Sequence, residues 1–311
     1  MQDGQGRQIG YLRLSVTEQC NYRCGYCMPA GAPCANSPRP SVERLEELAQ
    51  AAVDCGVEKI RITGGEPLIR DDILDVCSTI AEINGVKELC LTTNGHYLSE
   101  LAEPLRQAGV SRVNISIDSL RPERFAQLTG GGDFHRVWAG ILEAERVFGN
   151  VKLDVVLMGG INDDEILDFV DLTRYHPWAV RFIELMPMGA CANWDKGCFL
   201  SGDAVLACCP QLVEGSPQGV ARRFRLPDAV GAVGLIAPLS HTFCHACNRI
   251  RITADGYLKG CLHAKEELDL TDLHGFALQQ AITQGILQKP ASHHLTQRGS
   301  DTPRRMHRIG G

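Results

Sequence analysis

Residues 11–28 have the sequence YLRLSVTEQCNYRCGYCM, in which a β-rich run leads directly into three cysteines. Cys20, Cys24 and Cys27 follow one another with the spacing Cys-x3-Cys-x2-Cys. Three thiolates on one short loop can hold three irons of a four-iron cluster and leave the fourth iron open to a ligand. Because cysteine-rich loops also bind zinc, a zinc loop is the alternative interpretation.

The run at 11–16 is the first of six predicted strands that alternate with helical patterns. The strands are predicted at 11–16, 59–62, 88–92, 112–117, 152–157 and 180–184. The helices between them are predicted at 42–55, 71–83, 98–107, 134–148 and 164–175. This alternation indicates a parallel sheet or barrel, and six strands are fewer than the eight of a full barrel.

Composition restricts the class of protein. The chain has 311 residues, of which 44% are hydrophobic, enough for a sizeable core. A net charge of −6 disfavours non-specific binding to nucleic acid. No apolar run approaches the roughly 20 residues of a membrane span, and the N-terminus has no pattern of a secretion signal. Fourteen cysteines in such a chain favour metal ligation in the reducing cytoplasm over disulfides.

A second cysteine set follows the end of the alternating pattern near residue 210. Cys244, Cys247 and Cys261 have the spacing Cys-x2-Cys-x13-Cys. A closed zinc site would need a fourth ligand, such as His245 or His263, so a second cluster with an open iron is the preferred interpretation. This region is also predicted to hold a strand at 218–226, a turn at 227–233, a helix at 268–285 and a mobile basic tail from 289.

The first cysteine loop, with Tyr26 before its last cysteine, resembles the radical S-adenosylmethionine superfamily. The resemblance implies an α/β fold, a partial (β/α)6 TIM-type barrel whose C-terminal extension carries a second iron–sulfur cluster. It also implies that the open iron binds S-adenosylmethionine and that one electron then releases a 5′-deoxyadenosyl radical. The run Gly64-Gly65-Glu66-Pro67 after the second strand resembles the superfamily's cofactor motif. The implied contacts to S-adenosylmethionine are Tyr26, Gly65, Ser116 and Met186.

The paired cysteine sets, the run 248–251 (NRIR) and a Gly-Gly ending resemble one family within that superfamily, the GTP-cyclising enzymes of molybdenum cofactor biosynthesis. The resemblance implies two [4Fe-4S] clusters, a GTP substrate, an external one-electron donor and a homodimer. It implies that the product passes to cyclic pyranopterin monophosphate synthase and that Gly310 and Gly311 enter the active site. The implied contacts to GTP are Arg13, Arg61, Thr92, Lys152, Arg249, Ile250 and Arg251.

Two units are predicted from these patterns. Residues 9–215 form the barrel, and residues 216–311 form the region that carries the second cluster and the Gly-Gly tail. The alternative function is a radical enzyme that modifies peptides, and the alternative class is a zinc-bound scaffold. No role is assigned to Cys191, Cys198, Cys208 and Cys209, whose default is that of small buried apolar residues.

Overall fold

The computed structural model describes residues 1–29, 31, 39–295 and 299–310. Within these ranges, twelve strands form one sheet in the order β12-β11-β10-β1-β2-β3-β4-β5-β6-β9-β8-β7. The strands are β1 (Tyr11–Ser15), β2 (Lys59–Thr63), β3 (Glu88–Thr93), β4 (Arg112–Ser116), β5 (Lys152–Leu157), β6 (Ala179–Glu184), β7 (Val213–Gln218), β8 (Ala221–Arg225), β9 (Ala232–Ile236), β10 (Arg249–Ile252), β11 (Tyr257–Lys259) and β12 (Leu268–Asp269).

Eight helices accompany the sheet in the described part of the chain. They are α1 (Val42–Asp54), α2 (Ile73–Glu82), α3 (Leu98–Gln107), α4 (Pro122–Thr129), α5 (Phe134–Phe148), α6 (Ile166–Tyr175), α7 (Asp203–Cys208) and α8 (Gly275–Leu287). Apolar residues at helical spacing on α1, such as Leu45 and Leu48, pack with Leu12 and Leu14 of β1 in one hydrophobic core. As far as the described ranges go, the helices are too short or too polar to span a membrane.

The predicted parallel core is confirmed, and the C-terminal region extends it at both ends. Strands β1 to β6 pair in parallel in chain order. Strand β10 joins in parallel beside β1, and β9 joins in parallel beside β6. Hairpins then continue the sheet antiparallel through β11 and β12 on one side and through β8 and β7 on the other. Strands from the end of the chain therefore extend the partial barrel on both sides.

The parallel strands alternate between an apolar face and a polar face. On β1, Leu12 and Leu14 are fully buried against the helices, whereas Tyr11, Arg13 and Ser15 occupy the alternate positions. Successive side chains of a strand point to opposite faces, so these three share the concave side of the sheet. The same alternation recurs on β2, β3, β4 and β10. We call this concave, polar side the lumen face.

Two predicted boundaries in the C-terminal third are wrong. The predicted turn at 227–233 overlaps β9, because Ala232–Ile236 pairs with β6. The helix predicted from 268 begins at Gly275, because Leu268–Asp269 pairs with β11. The predicted strand at 218–226 is confirmed as β8, which pairs with β7 in a hairpin. Helix α4 has no counterpart among the predicted elements. The boundary at 215/216 stays a prediction, and β7 crosses it.

Candidate active site on the lumen face

The first cysteine set lies on the loop that follows β1. The backbone N–H groups of Cys27 and Met28 donate to the Cys24 carbonyl at 3.0 and 2.9 Å, which closes a tight turn. Burial raises the pKa of Cys20 to about 11 and that of Cys27 to about 12, and it also raises the pKa of Cys24. The mutual repulsion of the three thiolates raises the pKa values of Cys24 and Cys27 further. A cationic group that binds thiolates would relieve both costs, so this set suits a metal cluster.

The arrangement differs from that of a single-ion site. Among the residues that the structure describes, no three histidine, cysteine or carboxylate side chains converge on the position of one metal ion. In a four-iron cluster each cysteine ligates a different iron, so the thiols need not converge on one point. Cys20, Cys24 and Cys27 could therefore ligate three irons of such a cluster.

The Gly-Gly-Glu-Pro turn after β2 packs directly against this loop. The backbone N–H of Gly65 donates to the Thr17 carbonyl at 2.8 Å, and that of Glu66 donates to the Gln19 carbonyl at 2.7 Å. A Cβ at Gly65 would overlap the Gln19 carbonyl oxygen, so only glycine allows this approach. The turn and the cysteine loop therefore form one rigid rim.

The Glu66 side chain stabilises the neighbouring loop after β3. Its carboxylate accepts from Thr93 Oγ1 at 2.7 Å, from the Asn94 N–H at 2.6 Å and from the Leu68 N–H at 3.0 Å. Burial raises its pKa to about 7, although these three bonds lower it. Glu66 thus joins the rims of β2 and β3.

The other predicted S-adenosylmethionine contacts lie at the same rim. Ser116 is the last residue of β4, and Met186 follows β6. Tyr26 donates its hydroxyl to Asp118 Oδ2 at 2.8 Å, and Asp118 Oδ1 accepts from the Val156 N–H at 2.8 Å. Burial raises the pKa of Asp118 to about 6. The Tyr26 ring, on the cysteine loop, is therefore positioned through Asp118, which is bonded to β5.

A row of arginines crosses the lumen face. Arg13 registers with Arg251 on one side and with Arg61 on the other, so the three side chains share a level of the sheet. Arg61 donates to the Tyr11 hydroxyl at 2.5 Å and to Thr92 Oγ1 at 3.3 Å. Burial raises the pKa of Tyr11, but the nearby guanidiniums outweigh burial and lower that pKa to about 8. The lumen is therefore strongly positive, as a polyanion site requires.

The remaining predicted GTP contacts divide into two kinds. Lys152 is buried at the start of β5, and burial together with Arg181 and Arg112 lowers its pKa to about 7. Arg249 lies two residues before Arg251 on β10 and places its guanidinium 5.6 Å from the Tyr11 ring centroid. Ile250 is different, because its side chain is fully buried in the hydrophobic core on the opposite face. Only its backbone faces the neighbouring strands.

Sequence reasoning missed several polar residues of the lumen face. Besides Tyr11, they are Lys59, Arg112, Asn114, Asp154 and Arg181. Asp154 accepts from Arg181 Nε at 2.6 Å. Polar and apolar residues alternate along these strands, and this alternation is the sequence signal that indicates a polar face.

The second cysteine set lies beside β10. Cys244 begins a single helical turn, Cys247 precedes β10 and Cys261 follows β11. Burial raises the pKa of Cys247, but Lys289 and Arg249 outweigh burial and lower it. The thiols of Cys261 and Cys247 interact electrostatically with Arg251. This set therefore adjoins the arginine row.

His263, the candidate fourth ligand for a zinc ion, has other partners. Its Nδ1 lies 3.0 Å from Ser300 Oγ, and its ring meets that of His293 edge to face.

The C-terminal tail lies in the site, so the prediction that it is mobile is wrong for residues 299–310. Ile309 is fully buried, and the Gly310 carbonyl accepts from Arg251 Nη1 at 2.8 Å. Gly310 has a φ of 74°, and a Cβ there would overlap Thr63 Oγ1, so the position requires glycine. His307 Nδ1 lies 3.3 Å from the Cys27 carbonyl oxygen. Gly311, also predicted to act here, lies outside the described residues.

Comparison with known proteins agrees with this geometry. Residues 14–173 match the model of the Radical SAM superfamily, and residues 178–295 match Molybdenum Cofactor Synthesis C. A curated relative named GTP 3′,8-cyclase from Alkaliphilus oremlandii is 44% identical over 100% of both chains. Another of that name from Peptoclostridium acidaminophilum is 45% identical over 99% of this chain and 98% of the relative.

Solved structures show the same fold at low identity. Streptococcus suis SuiB bound to precursor peptide SuiA has a TM-score of 0.65 at 15% identity, covering 91% of this chain and 66% of that chain. The structure titled native anSMEcpe with bound AdoMet has a TM-score of 0.58 at 14% identity, covering 89% of this chain and 82% of the other.

The cysteine loop at the rim of a partial barrel and the superfamily match define the class: the chain belongs to the radical S-adenosylmethionine superfamily. The two relatives described above match at least 99% of its length at 44% and 45% identity. Within the superfamily, it belongs to the GTP 3′,8-cyclase family.

Proposed function

We propose that the protein is a GTP 3′,8-cyclase, a lyase that converts GTP to 3′,8-cyclo-7,8-dihydro-GTP in molybdenum cofactor biosynthesis. The observation that carries the proposal is the row Arg251–Arg13–Arg61, because a line of guanidiniums, of which those of Arg61 and Arg251 are on buried residues, suits a triphosphate. The full-length relatives that bear this name support the choice of nucleotide.

The two cysteine sets would hold two [4Fe-4S] clusters. Cys20, Cys24 and Cys27 would hold the cluster that binds S-adenosylmethionine, and Cys244, Cys247 and Cys261 would hold the second one. The bound cofactor would supply a 5′-deoxyadenosyl radical for removal of the C3′ hydrogen of GTP. Bonding of C3′ to C8 would then need one further electron and one proton to give the 7,8-dihydro product. The protein's own part is to bind, to orient and to exclude water.

The side chains divide this work between rim and lumen. At the rim, Tyr26, Gly65, Ser116 and Met186 would orient S-adenosylmethionine above the lumen. Below them, Arg13, Arg61 and the other cationic contacts would grip the triphosphate, because arginines can donate two parallel hydrogen bonds to a phosphate, and Thr92 would contact GTP beside them. Gly310 would complete the wall, since its carbonyl orients the Arg251 guanidinium. Gly311 would follow it toward the substrate.

The setting of the reaction completes the proposal. The enzyme would act in the cytoplasm as a homodimer, receive electrons from an external one-electron donor and release its product to cyclic pyranopterin monophosphate synthase. The division into units 9–215 and 216–311 would separate the radical-forming part from most of the GTP-binding part. Strands β9 and β10 from the second unit would join the two through the shared sheet.

The test is an anaerobic reaction of the iron- and sulfide-reconstituted protein with S-adenosylmethionine, a reductant and GTP. We expect GTP-dependent 5′-deoxyadenosine and a cyclised GTP isomer by mass spectrometry. Cys24→Ala should form neither, whereas Cys208→Ala, which changes an exposed cysteine on α7, should match the wild type. Deoxyadenosine without a GTP product would refute the cyclase and favour a peptide substrate. Bound zinc with neither product would refute the radical enzyme.

A further inference from the structure

One buried acceptor on the lumen face stands out from the donors around it. Asn114 on β4 is only 3% exposed, and its Oδ1 atom has no hydrogen-bond partner among the described residues. Its Nδ2 donates to Asp154 Oδ2 at 3.1 Å. The opposite amide orientation would point Oδ1 at that carboxylate, which is unfavourable, so the orientation is determined.

Asp154 is itself immobilised by a charged partner. Arg181 Nε donates to Asp154 Oδ1 at 2.6 Å, and Nη2 donates to Oδ2 at 2.5 Å. A bidentate pair of this kind has a fixed geometry. Asn114 is therefore held as a rigid acceptor. A buried oxygen of this kind requires a donor, and leaving it unpaired costs free energy.

The neighbours of Asn114 on the lumen face point to the donor. Asn114 registers with Thr92 on one side and Lys152 on the other, which are both expected to contact the nucleotide. Phosphate oxygens at neutral pH accept hydrogen bonds and cannot donate one to a carbonyl oxygen. Three strands, β1 to β3, separate β4 from β10, the strand beside the second cysteine set, whose open iron would be free to bind the base. The sugar is the part of the nucleotide that can donate here.

We propose that Asn114 Oδ1 accepts a hydrogen bond from a ribose hydroxyl of the substrate and thereby orients the sugar toward the cofactor. This inference rests on the proposed function. Ser116, an expected cofactor contact, lies two residues further along the same strand and on the same face, about 7 Å away. A hydroxyl bound at Asn114 would place the ribose between the cofactor at the rim and the cations below. Asn114 is thus a substrate-positioning residue that excludes deoxynucleotides.

The test is a double-mutant cycle between the side chain and the hydroxyl. Dissociation constants of GTP, 2′-deoxy-GTP and 3′-deoxy-GTP are measured anaerobically for the reconstituted wild type and for Asn114→Leu, which has a similar shape. In the wild type we expect removal of one of the two hydroxyls to weaken binding roughly tenfold. In Asn114→Leu the same removal should change binding less than about twofold, since the partner is gone.

Two further variants separate this role from a structural one. Asn114→Ala adds no bulk and carries the same expectation, with iron content and GTP-independent 5′-deoxyadenosine formation showing that it is folded. Cys90→Ser changes another buried lumen-face position, on β3, and should keep wild-type discrimination. Equal discrimination in the wild type and both Asn114 variants would overturn the inference while leaving the cyclase intact. Failure of the wild type to bind or cyclise GTP would overturn both.

Discussion

Replacing Arg304 with methionine should release the C-terminal tail from the barrel. Arg304 Nε lies 2.7 and 2.8 Å from the two Glu267 carboxylate oxygens, and Nη1 lies 2.9 and 2.7 Å from those of Asp255. The guanidinium also lies 5.0 Å from the Tyr257 ring centroid. These contacts tie the segment that leads to Gly310 onto the β11–β12 hairpin.

The magnitude follows from the burial of these groups. The side chains of Arg304, Glu267 and Asp255 are 12%, 15% and 18% exposed. Breaking a fully buried pair costs about 3–5 kcal/mol. Partial exposure and the second cation at Glu267, Lys259 at 2.8 Å, reduce this to about 2–3 kcal/mol. The ratio of docked to released tail should therefore fall roughly 30- to 150-fold.

Hydrogen–deuterium exchange of residues 299–310 measures the release directly. We expect faster exchange there in Arg304→Met, with unchanged exchange in β1 to β6 and with retained 5′-deoxyadenosine formation but less cyclised GTP. Arg304→Lys should be intermediate, because an ammonium cannot reproduce both bidentate contacts. Arg146→Met serves as the control, since Arg146 also pairs with two glutamates but is 61% exposed. Tail exchange in Arg304→Met that equals the wild type would refute the reasoning.

Three other perturbations test the lumen, the rim and the core. Affinity for GTP, measured by equilibrium dialysis, should fall from about pH 6 to about pH 9, because Lys152 (pKa about 7) loses a positive charge and Tyr11 (pKa about 8) gains a negative one. Lys152→Met should remove the fall in GTP affinity near pH 7, and Tyr11→Phe should remove the fall near pH 8. A wild-type GTP affinity that does not change with pH would contradict this. Asp118→Asn should weaken the hydrogen bond that holds Tyr26 and so raise the KM for S-adenosylmethionine several-fold at nearly constant kcat. A several-fold fall in kcat with an unchanged KM would argue against a positioning role. Gly140→Ala should lower the free energy of unfolding by about 1–3 kcal/mol, because a Cβ would lie 2.8 Å from a backbone oxygen before α3, and a raised Tm would exclude this contact.

The first six strands were predictable because their pattern is local. Each β-rich run of four to six residues is flanked by a helical pattern, and parallel pairing follows from that alternation. Strand β5 and helices α3 and α5 have the predicted bounds. Strand β9 was missed because its sequence, AVGLI, follows a proline- and glycine-containing turn. Its pairing with β6 decides its conformation, and that contact lies about 50 residues away.

The candidate site was likewise predictable where its pattern is local and not where it depends on distant contacts. Both cysteine sets were recognised by spacing, and a resemblance placed Arg13, Arg61 and Arg251 among the substrate contacts. Their common level across three strands depends on the register between β10, β1 and β2, which no local pattern specifies. The docking of the tail was implied by the resemblance alone, since basic and polar residues near a terminus are usually solvated. Here they meet carboxylates that the fold brings from elsewhere, as Arg308 meets Glu18.

The pairing of β1 with β10 has a consequence for how the protein is made. Tyr11 registers with Arg249, so about 240 residues separate the two strands in the chain. At roughly 5–20 residues per second, the ribosome needs about 12–48 seconds to deliver β10 after β1 has emerged. During that interval the nascent barrel carries an unpaired strand edge, which neighbouring chains can join. Slow translation or truncation before β10 should therefore lead to aggregation rather than to a stable half-barrel.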